Sequence, residues 1–233
     1  MKNTLKVLSV AALAAPASLF GQIAFDEATV TVEFAFESEY SLRGVKLGGP
    51  SIQPSILYEV QGFYAEIWST SDVRSGSGES GEVDYTIGYA WDIDAITADV
   101  GFTYYSFTDE TDTQEIYAGA MLNLDEIPVD PSLYLFYDIE LKDWTIEGAL
   151  DYSIGLAEFV GAEADLELGA FLGHVWVDED GSPDYFYYGV SADVVYSFTD
   201  AAYGSVGVRY AANNEDMNPD QQIWWGAAVG VSF

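Results

Sequence analysis

From Thr29 to Phe233 one pattern recurs: apolar and polar residues alternate singly, stretch after stretch. In Thr29–Ser38, Val30, Val32, Phe34 and Phe36 alternate with Thr31, Glu33, Ala35 and Glu37. In Glu82–Trp91, Val83, Tyr85, Ile87, Tyr89 and Trp91 alternate with Asp84, Thr86, Gly88 and Ala90. At the end, Ile223, Trp225, Ala227, Val229, Val231 and Phe233 alternate with Trp224, Gly226, Ala228, Gly230 and Ser232. In an extended chain, successive side chains point to opposite faces. The pattern therefore predicts strands with one apolar face. No comparable stretch has a 3.6-residue period with caps at both ends.

Twelve strands are predicted, over 29–38, 51–60, 62–72, 82–91, 96–106, 113–122, 132–141, 143–154, 162–176, 185–197, 202–211 and 222–233. Most match the roughly 9–11 residues of a tilted membrane strand and exceed the roughly 5–6 residues usual in soluble sheets. With the N-terminus on the periplasmic side, the odd-to-even links are outer loops. Glu39–Pro50, Val73–Gly81, Phe107–Asp112, Val177–Asp184 and Ala212–Gln221 are polar and mostly acidic, as such loops are. The inner turns Gln61-Gly62, Asp92–Ala95 and Phe198–Ala201 are short, and this long/short alternation marks an outer-membrane barrel. Two links depart from it. Asn123–Pro131 is long for an inner turn and the link at Lys142 is short for an outer loop, so ten or fourteen strands stay open.

The alternation sorts residues into two sets. Val83, Ile87, Ile96, Val100, Phe102, Ile116, Ala118, Leu122, Leu166, Leu168, Leu172, Val190, Val194, Val206 and Val208 share one face. Glu33, Glu37, Glu66, Asp84, Asp99, Glu115, Glu147, Asp151, Glu163, Asp165, Glu167 and Asp193 share the other, with Arg209 and Arg43. A soluble secreted β-sandwich alternates in the same way. Three features favour the barrel. Aromatics gather toward strand ends, at Trp68, Tyr85, Tyr89, Trp91, Tyr104, Trp144, Tyr152, Trp176, Phe186, Tyr188, Tyr196, Phe198, Tyr210, Trp225 and Phe233, where membrane interfaces favour Tyr and Trp. Gly88, Gly101, Gly119, Gly169, Gly189, Gly207, Gly226 and Gly230 share the polar parity, as a crowded lumen wall requires. The chain stops on an amphipathic strand ending in Phe233, like the signal read by the barrel-assembly machinery. The expected fold is all-β: a transmembrane antiparallel up-and-down barrel of about 12 strands.

Residues Met1–Gln22 read as an exported leader. Lys2 and Lys6 precede the apolar run Val7–Ala15, and Ala15-Pro16-Ala17 offers a cleavage site. The expected division is a signal peptide at 1–21, cleaved between 17 and 22, and one barrel domain at 22–233. No later stretch approaches the roughly 20 apolar residues of a spanning helix.

Charge narrows the partners. Seven Lys+Arg stand against 39 Asp+Glu, so the formal charge is 7 − 39 = −32, and −34 once Lys2 and Lys6 are removed. Nucleic acid needs a basic footprint, which is missing. With no cysteine, disulfide scaffolds and thiolate metal sites are excluded. The expected surroundings are outer-membrane lipid, the assembly machinery, and small solutes or cations.

Four segments resemble the TorF-type porin family of small outer-membrane β-barrel proteins. Ser38-Glu39-Tyr40-Ser41-Leu42-Arg43-Gly44 is similar to its S-[DE]-Y-x-[FL]-R-G signature. Gly62-Phe63-Tyr64-Ala65-Glu66-Ile67-Trp68 is similar to its GFYAGxW strand, with Glu66 where the family has Gly. Glu82–Tyr89 and Glu115–Gly119 follow in order and spacing, and Leu47-Gly48-Gly49-Pro50 replaces a more polar loop. The resemblance implies an outer-membrane barrel in a porin role and says little about the solute.

Several groups could carry chemistry. Rings of inward carboxylates select cations, although adaptation to high salt, which screens charge, gives the same composition. Arg43 and Arg209, if both face inward, pair with Glu33, Glu37 or Glu39, either as structural ion pairs or as a charge-separated constriction. His174, the single histidine, shares parity with Leu172 and Trp176 and so faces lipid, which argues against catalysis. Asp178–Ser182 and Asn213–Asp220 offer oxygen ligands for calcium but no full EF-hand. Ser75–Gly81 lacks the lysine of a phosphate loop. The expected activity is passive diffusion with cations preferred, needing no cofactor. The rivals are a non-conducting structural or adhesive barrel and the soluble sandwich.

Overall fold

The computed structural model describes residues 28–73, 81–108, 111–123, 129–156, 163–178, 182–214 and 221–233. The predicted leader lies outside them. Fourteen strands follow in order: β1 (Thr29–Glu37), β2 (Tyr40–Leu42), β3 (Val45–Gly48), β4 (Ser51–Val60), β5 (Phe63–Asp72), β6 (Glu82–Ile93), β7 (Ile96–Phe107), β8 (Thr113–Leu122), β9 (Asp130–Asp138), β10 (Trp144–Gly155), β11 (Ala164–Trp176), β12 (Tyr185–Ser197), β13 (Ala202–Asn213) and β14 (Gln221–Ser232). Twelve of them form one closed antiparallel barrel, in the ring order β1-β14-β13-β12-β11-β10-β9-β8-β7-β6-β5-β4. The other two, β2 and β3, pair only with each other.

The ring closes by pairing Thr31 with Ser232 through Glu37 with Gly226. Val30 and Phe233 exchange backbone hydrogen bonds of 3.2 and 2.9 Å at its end. Closure removes the sheet edges that a sandwich would keep. It also pairs the strand backbone internally, the condition for crossing lipid. The soluble sandwich is thereby set aside.

Burial is inverted relative to a soluble protein. Ile87, Val100, Ile116, Leu172, Val190, Val206 and Val208 are exposed on the outer face, whereas Glu33, Glu37, Asp99, Glu115 and Glu147 are buried on the inner one. So large an exposed apolar surface requires an apolar surrounding.

The ring has twelve strands; of the two irregular links, residues 124–128 of Asn123–Pro131 lie outside the described residues, and the strand predicted over 132–141 is β9, Asp130–Asp138, which leaves a five-residue link, 139–143. The link after β9 is short because Asp138 caps it. Its Oδ1 accepts hydrogen bonds from the backbone N–H of Glu140 (2.9 Å) and Leu141 (2.8 Å). Lys142 completes the turn with a positive φ of 63°. At the opposite end, Gln61 and Gly62 both have positive φ (50° and 85°), as a two-residue hairpin with right-twisted strands demands. A Cβ on Gly62 would stand 2.3 Å from the Ala90 carbonyl oxygen, so no other residue fits there.

Candidate functional site

The inner face is built by the polar parity of each strand. Glu33 and Glu37 (β1), Glu66 (β5), Asp84 (β6), Asp99 (β7), Glu115 (β8), Glu147 and Asp151 (β10), Asp165 and Glu167 (β11), Asp193 (β12) and Arg209 (β13) all lie opposite the exposed apolar set. Glu163 is the exception: it precedes β11 and is exposed at the rim. Glu59 and Glu82, outside the expected set, are also buried on this face, as their parity with Leu57 and Asp84 dictates.

Arg209 holds the main charged cluster. Its Nη2 lies 3.0 Å from Asp193 Oδ1 and 3.3 Å from Glu37 Oε1, with side-chain exposures of 7%, 15% and 4% for the three residues. Asp193 belongs to the neighbouring strand, but Glu37 lies two strands away, beyond β14. Two glycines permit this reach. Asp193 Oδ1 and Glu37 Oε1 occupy space within about 2 Å of where Cβ atoms on Gly207 and Gly226 would stand (2.0 and 2.1 Å). Nearer the turn end, Tyr203 Oη donates to Glu33 Oε2 at 2.5 Å. The expected partner Glu37 is thus found, and Asp193 joins it.

A second cluster fills the wall from β5 to β9. Tyr64 Oη donates to Asp99 Oδ1 (2.9 Å), Tyr134 Oη to Asp99 Oδ2 (3.1 Å), and Tyr64 Oη meets Tyr117 Oη at 2.5 Å. Each ring covers a glycine paired with it across the ladder: Tyr64 over Gly88, Tyr117 over Gly101 and Tyr134 over Gly119. A Cβ at Gly119 would stand 2.2–2.6 Å from Cδ1, Cε1 and Cγ of Tyr134, too close to the ring's root for it to swing aside. Gly119→Ala is therefore expected to destabilise the barrel by about 1–3 kcal/mol, the range for overpacking. The urea midpoint of the purified barrel measures this, and an unchanged midpoint would show that the ring relaxes freely.

The segment Glu39–Pro50 departs from expectation. Read as an outer loop, it instead folds back into the barrel as the β2–β3 hairpin. Its turn, Arg43-Gly44, has φ values of 49° and 74°. Arg43 Nη2 reaches Glu115 Oε2 on β8 at 2.8 Å, and its guanidinium lies 4.9 Å from the centre of the Phe136 ring on β9. The Gly44 carbonyl oxygen accepts Asn213 Nδ2 of β13 at 2.7 Å and Gln222 Nε2 of β14 at 3.0 Å. Tyr40 Oη donates to Glu82 Oε2 on β6 at 2.5 Å, and its ring packs on Trp68 of β5. Val45 rests on a buried cluster of Ala149, Phe171, Val175, Tyr185, Tyr187, Ala211 and Trp224. Lys46 pairs with Glu39 within the hairpin at 2.7 Å. Arg43 thus pairs with Glu115 and not with the three carboxylates expected for it. A Cβ at Gly44 would stand 2.7 Å from Tyr187 Cβ and 2.8 Å from the Ala212 carbonyl oxygen, so the tip fits its cradle only as glycine.

Outside, Tyr85, Tyr89, Trp91, Trp144, Trp176, Trp225 and Phe233 take the outward parity. At the loop end they form contacts such as Tyr137–Trp144 (4.7 Å between ring centres) and Phe36–Trp225 (5.1 Å). Trp68 does not join them: it points inward and is buried under Tyr40. His174 sits on the outer face between Trp176 (4.4 Å) and Phe186 (4.1 Å). Of the calcium candidates, Glu179, Asp180, Gly181 and 215–220 lie outside the described residues, as do 75–80 of the glycine-rich loop. Among the described residues no group of three or more His, Cys, Asp or Glu could hold a metal ion.

Residues 22–127 match the model of a family described as a bacterial protein of unknown function (Gcw_chp). No curated protein matches the chain. Solved structures do. The NanC porin superposes with a TM-score of 0.57 at 12% identity, covering 88% of this chain and 98% of its own. The KdgM porin in complex with disordered oligogalacturonate gives 0.53 at 11%, covering 88% and 99%. A bacterial polysaccharide outer membrane secretin gives 0.51 at 11%, covering 90% and 99%. The fold is that of these outer-membrane barrels.

Proposed function

We propose that this barrel is an outer-membrane, porin-like channel for passive diffusion of small solutes, with cations preferred. The observation that carries the reading is the sign of the inner face. Glu33, Glu37, Glu66, Asp84, Asp99, Glu147, Asp151, Asp165, Glu167 and Asp193 line it, against Arg43, Lys46 and Arg209; Lys142, the other described cation, is exposed in the turn after β9. Arg209 is shared between two carboxylates, so a negative surplus remains. The similarity to outer-membrane porins and the resemblance to the TorF-type family support the channel role. In this reading residues 1–21 are removed on export, residues 22–233 form the barrel, and the β14 strand is the one read by the barrel-assembly machinery. The loop end faces outward and lipid surrounds the apolar belt. A passive pore needs no cofactor and performs no reaction.

Oligogalacturonate, present with the KdgM neighbour, is a chain of carboxylates. An acidic lumen repels such a polyanion, so that solute class does not carry over to this chain. Reversal potential in a KCl gradient across a planar bilayer tests the preference. Potassium is expected to permeate better than chloride, and Asp84→Asn with Glu66→Gln should move the potential toward zero. An anion preference would overturn the selectivity.

The hairpin favours one second reading, a structural or adhesive barrel that conducts nothing, because it crosses the lumen between strands on opposite sides. The same bilayer decides between the two. No current above the lipid background from correctly folded protein sinks the channel.

A further inference from the structure

The channel reading leaves one element without a role: the hairpin that fills the lumen a channel must keep open. We infer that the β2–β3 hairpin is a displaceable gate, latched shut by Arg43 on Glu115 and by the Gly44 carbonyl on Asn213 and Gln222.

Position comes first. In the ring of twelve, β8 and β14 stand six places apart, on opposite walls. The two residues of one turn bridge them, Arg43 to Glu115 on β8 and Gly44 to Gln222 on β14. A bar so placed spans the full diameter of the lumen.

The mode of attachment comes second. β2 and β3 form their own two-stranded sheet and join no barrel ladder. The polar links from Tyr40–Gly48 to the wall are made through side chains: Arg43 to Glu115, Tyr40 to Glu82, and the carboxamides of Asn213 and Gln222 to Gly44. The hairpin can therefore leave without breaking a barrel ladder. A plug built as permanent wall would have been stitched in by backbone pairing.

The surface left behind comes third. Lifting the tip uncovers Glu82, Glu115, Asn213 and Gln222. Water hydrates such groups readily, whereas an apolar cradle would collapse or stay dry. The apolar contacts of Val45 and Tyr40 are the main cost of opening. The closed state is thus held by a few exchangeable bonds, and the open state exposes the acidic lumen that selects the solute.

The inference rests on the channel reading, and the test separates the two. The chain has no cysteine, so a pair can be placed cleanly. Arg43→Cys with Glu115→Cys, bridged by a short bis-methanethiosulfonate, locks the tip to β8. Bridging is expected to abolish single-channel current, and dithiothreitol should restore it in the same membrane. Glu115→Gln alone should raise open probability several-fold, and replacing 39–49 by a short Gly-Ser link should give a steadily open pore. Each variant is first checked for heat-modifiable gel mobility, the sign of a folded barrel. If the bridged channel conducts as well as the unbridged one, the hairpin is fixed lining and the gate is wrong. If the folded hairpin-less barrel passes no current, the channel reading fails and takes the gate with it.

Discussion

Arg209→Met should lower the unfolding free energy of the barrel by about 3–5 kcal/mol, the cost of leaving a buried charge without its partner. Arg209 is 7% exposed and serves both Asp193 at 3.0 Å and Glu37 at 3.3 Å. Without it, two carboxylates face each other and Glu33 in a closed interior. Methionine keeps most of the side-chain volume, so the loss reports charge and not a cavity. The triple variant Arg209→Met, Glu37→Gln, Asp193→Asn removes the stranded charges and should recover most of the stability. Urea unfolding in lipid vesicles, followed by tryptophan fluorescence, measures both. A single variant as stable as the parent would mean that water already screens the cluster. A triple variant no better than the single would mean that packing, not charge, was lost.

Two adjacent positions on β6 give the second large effect. Ile87 is 53% exposed on the outer face at the middle of its strand. Ile87→Arg places a guanidinium in the lipid midplane and should cost about 2–4 kcal/mol. Thr86→Arg puts the same group one residue away, on the inner face. There it meets Glu66, its partner across the ladder, and gives up one 2.9 Å hydrogen bond to Thr103. Its cost should not exceed about 1 kcal/mol, the size of that bond. Equal costs at the two positions would contradict the membrane placement of the outer face.

That one-residue contrast also explains why so much of the barrel was legible. Each strand declares itself through neighbours two residues apart, and the period holds whatever lies across the ladder. β4, β8 and β12 begin and end where the pattern predicts. The same parity puts the strand carboxylates of the expected set on the inner face, Glu163 excepted, and Glu59 and Glu82 obey the same rule. Trp68 departs from the interface position its residue type suggests, because its parity with Tyr64 and Glu66 places it inside. Here parity is the stronger signal, since it is set by backbone geometry.

The partners of the inward groups were not legible. Arg43 finds Glu115, which is 72 residues away, and Gly44 is held by Asn213 and Gln222, 169 and 178 residues on. Such pairings depend on ring order and strand stagger, which local patterning does not encode. The Ser38–Gly44 motif could be read as a family signature, but nothing in it says that the loop turns inward.

By itself, then, the sequence determined an all-β barrel wall with one apolar and one polar face, because period-two alternation is a local property of an extended chain. Only the tertiary structure decided that Arg209 is shared between Glu37 and Asp193, that tyrosines lie over glycines on neighbouring strands, and that the Tyr40–Gly48 hairpin bars the lumen. Those choices are made by side chains that meet only after the ring has closed.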